Sequence, residues 1–68
     1  MIEFELDGEY IELYKLIKFE NLVESGGEAK FVISEGLVLL NGAMETQKRK
    51  KVRKGDVVAY KRDKITVI

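Results

Sequence analysis

The hydrophobic period changes twice along this chain, and that alternation restricts the fold more than any other feature. Ile2, Phe4 and Leu6 alternate with Glu3 and Glu5, so Met1–Leu6 reads as a strand with one buried face. Asp7-Gly8 is a turn signal, and from Tyr10 the spacing becomes helical. Tyr10, Leu13 and Ile17, with Tyr14 and Leu16, predict a short amphipathic helix over about Ile11–Phe19. Ser25-Gly26-Gly27-Glu28 opens a second helix. The Ser25 hydroxyl can accept from the Glu28 N–H while the Glu28 carboxylate reaches back to the Ser25 N–H, a capping box ahead of an apolar run. Ala29, Val32 and Ile33 supply that helix's buried stripe, Phe31 its edge, and Gly36 its left-handed end.

The period of two then returns. Leu37–Leu40 is apolar and β-rich, and Asn41-Gly42 is the strongest short hairpin signal. A return strand runs from about Ala43 into a run of cations. Gly55-Asp56 predicts a turn, Val57–Tyr60 a strand, Arg62-Asp63 a turn and Ile65–Ile68 a last strand. Phe4, Tyr14 and Phe31 read as core. A strand, two helices and then a run of hairpin strands predict an α+β fold: two short helices packed on a small, mostly antiparallel sheet.

Length and composition narrow the function. A chain of 68 residues reads as one domain, 1–68, with no Cys/His metal site or disulfide to staple its core. No apolar stretch approaches the ~20 residues of a membrane span, and the start carries no signal-peptide pattern. A cytoplasmic monomer without membrane contact is expected. The absence of His and Cys removes the commonest general base and the commonest soft nucleophile. So small a chain also has few residues left to wall a desolvated pocket. The expectation is therefore no enzyme, no catalytic residue and no cofactor.

The net charge of zero hides a strong asymmetry. Met1–Glu28 holds eight acids against Lys15 and Lys18, whereas Lys48-Arg49-Lys50-Lys51-Val52-Arg53-Lys54 holds six cations and no acid. Such a run creates a local field that selects partners. In a strand, Lys48, Lys50 and Val52 would share one face and Arg49, Lys51 and Arg53 the other; a loop would let more of them converge. An anionic partner would relieve their repulsion, while a solvated edge strand protected from aggregation would also account for them. The Ser25-Gly26-Gly27 helix start leaves N–H groups open to an anion with Lys30 one turn on, or it is an ordinary cap. Glu3, Glu5, Asp7 and Glu9 read as the exposed face of a strand. No aromatic ring lies inside the basic run, which favours phosphate contact over base stacking.

Ala29-Lys30, Val32-Ile33, Glu35-Gly36, Leu37-Val38, Asn41-Gly42 and Val52-Arg53-Lys54-Gly55-Asp56-Val57 lie in the order and spacing of the αL RNA-binding motif. The chain resembles this S-four domain family over about residues 13–58, and Ser25-Gly26-Gly27 with Ala29-Lys30 resembles its small stand-alone bacterial members. The resemblance implies a non-catalytic module for structured RNA, of ribosomal or transfer RNA class, with a possible place on the ribosome. Carried over, it implicates Ser25, Gly26, Gly27, Lys30, Asn41, Lys48, Arg49, Lys50 and Lys51, and Arg53 extends the basic segment. Glu12 and Gly26 stand where family members often carry arginine, which moves the burden to Lys30 and the basic run. Two other readings compete: a protein-interaction module working through its acidic face, and a DNA-binding accessory protein using the same cations.

Overall fold

A computed structural model describes residues 2–68. Its elements are β1 (Ile2–Phe4), β2 (Ile11–Glu12), α1 (Leu13–Phe19), α2 (Gly26–Ser34), β3 (Val38–Leu40), β4 (Ala43–Met44), β5 (Lys51–Val52), β6 (Val57–Tyr60) and β7 (Asp63–Val67). Five strands form one sheet in the order β1-β7-β6-β3-β4, and β2 pairs with β5 in a separate two-stranded ladder. Among the described residues only the β1–β7 pairing is parallel, joining Ile2 to Ile65 and Phe4 to Val67. This is the expected α+β architecture, two helices on a mostly antiparallel sheet.

Period explains which faces are buried. Val38, Val58, Tyr60, Ile65 and Val67 line the inner face of the sheet, and Leu13, Leu16 and Ile17 of α1 meet them with Ala29, Val32 and Ile33 of α2. No polar or charged residue is buried among the described residues, so every charge is left at the surface. Leu6 closes the first strand's apolar face; its N–H donates to the Ile68 carbonyl while the Ile68 N–H donates to the Phe4 carbonyl, both at 2.8 Å. Met1, included in the expected first strand, lies outside the described residues.

The turn chemistry holds at the expected places. Asn41 and Gly42 have φ of 53° and 86°, the paired left-handed residues of a tight hairpin joining β3 to β4. Gly36 ends α2 at φ 77°. Ser25 Oγ accepts from the Glu28 N–H at 3.0 Å, as a cap requires. The reciprocal half differs: Glu28 Oε1 takes the Glu24 N–H at 2.7 Å instead of the Ser25 N–H, holding the loop ahead of the helix.

Other boundaries need correction. Ile11-Glu12 is not helical; it pairs with Val52-Lys51, and α1 begins at Leu13. The return strand of the hairpin stops at Met44 instead of running into the cations. Glu45 N–H makes one more bond to the Val38 carbonyl, and Gln47 N–H then turns onto the Glu45 carboxylate at 3.0 Å. Lys48-Arg49 is a turn, which avoids lining six like charges along one sheet edge. The last turn is Lys61-Arg62, one residue early, because Tyr60 pairs with Asp63 and Lys61 accepts a φ of 56°. Phe31 is not core but 61% exposed; Phe4 and Tyr14 pack half-buried against the core, and Tyr60 is its one deeply buried aromatic among the described residues.

Candidate nucleic-acid interface

The basic run has a single apolar residue, and that residue fixes it to the protein. Val52 is fully buried in the core, while its neighbours Lys51 and Arg53 stay exposed. Pairing of β5 with β2 holds one side of the segment. The start of α1 holds the other. Glu12 provides no side-chain cap, and the first helical N–H groups instead find backbone carbonyls of the basic loop: Leu13 donates to Lys50 at 2.9 Å and Tyr14 to Lys48 at 3.1 Å. A run that is exposed and self-repelling thus gains a fixed path across the end of a helix.

That path brings charges from three elements to one aromatic ring. Lys30 Nζ of α2 stands 4.9 Å from the Tyr14 ring centroid, the Arg49 guanidinium of the basic loop 5.4 Å, and Lys15 Nζ of α1 5.9 Å. A ring's negative face attracts each cation by about 0.5–1 kcal/mol at an exposed site, which offsets part of their mutual repulsion. Glu12 adds to this: its Oε1 lies 3.3 Å from Lys15 Nζ and 3.5 Å from an Arg49 nitrogen. Glu12 therefore gathers two cations. Both partners are more than half exposed, so these pairs are screened and serve to place charge more than to stabilise the fold.

The start of α2 lies beside this cluster. Gly26 borders a shallow groove with Tyr14, Lys15, Lys18 and Phe19. Neither Gly26 nor Gly27 has a positive φ, and a Cβ built on them meets only Lys18 Cδ at 4.0 Å and Ser25 Oγ at 3.8 Å. The backbone does not demand glycine at either position. What the two glycines do is keep the first turn of α2 bare, where the Gly26 and Gly27 N–H groups find no acceptor among the described residues.

The expected site residues divide accordingly. Ser25, Gly26, Gly27, Lys30 and Arg49 lie around the Tyr14 cluster and the α2 start, and Lys48 and Lys50 are held against the start of α1 by their own carbonyls. Lys51 turns the other way, with its Nζ 4.9 Å over the Tyr10 ring. Asn41 and Arg53 form a separate group around Asp56. One Asp56 oxygen accepts from Asn41 Nδ2 at 3.0 Å and the other from the Arg53 N–H at 2.8 Å, while Asn41 Oδ1 accepts from the Val57 N–H at 2.8 Å. The Asn41 side chain thus ties the hairpin turn to the start of β6. Tyr14, Lys15 and Lys18 are the residues that sequence reasoning misses. Their signal is helical spacing: Tyr14 and Lys18 lie four apart on α1 and Lys15 and Lys18 three apart, so all of them can border one groove.

Known proteins resemble this chain in sequence and in fold. YbcJ of Escherichia coli (strain K12) is 41% identical over 59 residues, covering 87% of this chain and 84% of YbcJ. The probable ribosome maturation protein RlbA of Bacillus subtilis (strain 168) is 38% identical over 53 residues, covering 78% of this chain and 75% of RlbA. The solution structure of YbcJ, described as an αL motif involved in RNA binding, superposes with a TM-score of 0.76 at 39% identity, covering all of this chain and 87% of that one. The 30S ribosomal protein S4e of Thermoplasma acidophilum shares the fold at 22% identity and a TM-score of 0.69, covering 85% of this chain and 31% of that one. The family model for the S4 domain matches residues 4–68, and with it the motif spacing, the two helices on their sheet and the relatives agree that this chain belongs to the S4 domain family.

Proposed function

We propose that this chain is a non-catalytic RNA-binding module that recognises structured RNA, of ribosomal or transfer RNA class, through phosphate contacts. The observation that carries the reading is the gathering of Lys15, Lys30 and Arg49 around Tyr14, beside the bare first turn of α2. Cations from three elements at one place form a patch that can follow a phosphate backbone, and the α2 N–H groups add a positive end to it. Lys48 and Lys50, exposed and held by their carbonyls at the start of α1, extend the patch. The narrow major groove of A-form RNA hides base edges, so such a patch reads shape and phosphates in preference to sequence. YbcJ, whose αL motif is described as involved in RNA binding, and RlbA, named for ribosome maturation, support an RNA of the ribosome or its precursors. In this reading the module works in the cytoplasm as a monomer, and no helix among the described residues is long and apolar enough to cross a membrane.

Charge reversal tests the proposal. Lys48→Glu with Lys50→Glu is expected to abolish binding of a labelled RNA hairpin in fluorescence anisotropy. Far-UV circular dichroism should stay unchanged, because both side chains are exposed and only their backbones hold the fold. Unchanged RNA affinity would sink the phosphate reading. Equal loss on a DNA duplex of the same sequence, bound as tightly by the wild type, would turn it into a DNA-binding one.

A further inference from the structure

The positive pole of the molecule is used by the RNA reading; the acidic pole is not. Between the end of β1 and the end of α1 lies a groove of about 390 Å³ with mostly apolar walls. Phe4 and Phe19 meet there edge to face with ring centroids 5.4 Å apart, and Tyr10 lines the groove with them. Phe19 is 68% exposed, a large apolar surface to leave in water on so small a protein. Glu5, Asp7 and Glu20 stand along the rim, and none of them forms an ion pair with another described residue. One cation already uses this edge: Lys51 Nζ sits 4.9 Å over the Tyr10 ring.

We propose that this groove docks a lysine- or arginine-rich segment of another protein, with one apolar side chain seated against Phe4 and Phe19. Charge complementarity selects that occupant. Glu3, Glu5, Asp7 and Glu20 line the groove and no lysine or arginine does, so a nucleic acid is repelled from it and an acidic peptide gains nothing at the rim. The aromatic walls require more than charge, because a purely cationic segment would leave Phe19 uncovered. None of the cations around Tyr14 lines the groove; Phe19 borders both this groove and the one at Gly26, so the Glu5→Lys, Asp7→Lys pair is what separates the two sites. If both hold, the module joins an RNA on one side to a basic protein segment on the other.

The test is fluorescence anisotropy of a labelled peptide of alternating lysine and leucine with the full chain. Binding is expected, and Phe19→Ser should weaken it about tenfold, as should Glu5→Lys with Asp7→Lys. The charge pair lies on exposed residues, so it decides the question even if Phe19→Ser disturbs packing on Phe4. RNA affinity of the Glu5→Lys, Asp7→Lys protein should not fall. Three results would overturn the proposal. One is no peptide binding at low salt. Another is equal affinity for a lysine–serine peptide of the same charge, which reduces the contact to a diffuse field. The last is a concentration-dependent dimer in sedimentation that Phe19→Ser abolishes, which gives the groove to a second copy of the chain.

Discussion

Each cation at Tyr14 repels the other two, and the ring with Glu12 offsets part of that repulsion. Removing the ring while keeping every charge therefore separates placement from net charge. Tyr14→Leu is expected to weaken RNA binding about fivefold, the equivalent of about 1 kcal/mol, whereas Tyr14→Phe should bind as the wild type does. Anisotropy with one RNA hairpin checks both; equal affinity for all three proteins would mean the ring is only packing. If Lys30 touches a phosphate, Lys30→Ala should reduce the magnitude of the log–log salt slope by about 1. An unchanged slope would leave Lys30 a structural partner of Tyr14. At Ser25 the expected effect is on stability: losing the cap should cost about 1 kcal/mol, lowering Tm by about 4–8 °C in calorimetry of Ser25→Ala. This scale is only partly legible in sequence. The Ser25 cap is readable because its partner lies three residues away. Tyr14 is not, since a half-buried ring at helical spacing looks the same whether its free face meets solvent or cations.

Two-residue strands have no period, and that is why β2 and β5 escape a reading of the sequence. Ile11 falls in phase with the helix that follows, so it reads as helical until Val52 is seen opposite it. The basic run, similarly, shows its charge in sequence but not its path. Its path depends on Val52 in the core and on two carbonyls that accept from α1. Val52→Ala keeps every cation yet loosens the segment. It should cost on the order of 2 kcal/mol of stability by urea denaturation. It should also lower RNA affinity at temperatures where the protein is still folded. Full RNA affinity in that variant would show that the segment's path is irrelevant to binding. Where an element is set by local chemistry, sequence and structure agree: Asn41-Gly42 makes its hairpin and Val57–Tyr60 its strand, residue for residue. The Lys61-Arg62 turn carries no glycine to announce it, and the pairing of Tyr60 with Asp63 decides it.

At the scale of the whole molecule, the α+β arrangement is readable because each period change marks an element and the order of elements limits how they can stack. The parallel pairing of β1 with β7 is not, because it joins the two ends of the chain and no local signal encodes it. The same holds for the site: charge segregation is visible by counting, but the meeting of α1, α2 and the basic loop at Tyr14 exists only in three dimensions. The resulting molecule gathers cations at Tyr14 and acids along the Phe4–Phe19 groove, although its net charge is zero. The proposed role of the cations at Tyr14 and in the basic loop is to hold RNA by its phosphates. Fluorescence anisotropy with a labelled RNA hairpin and its DNA twin, across a salt series, tests it most directly. Preference for RNA is expected, with a log–log slope of about −3 to −5 from roughly four to six neutralised phosphates. No binding even at low salt, or equal affinity for the DNA twin, would contradict it.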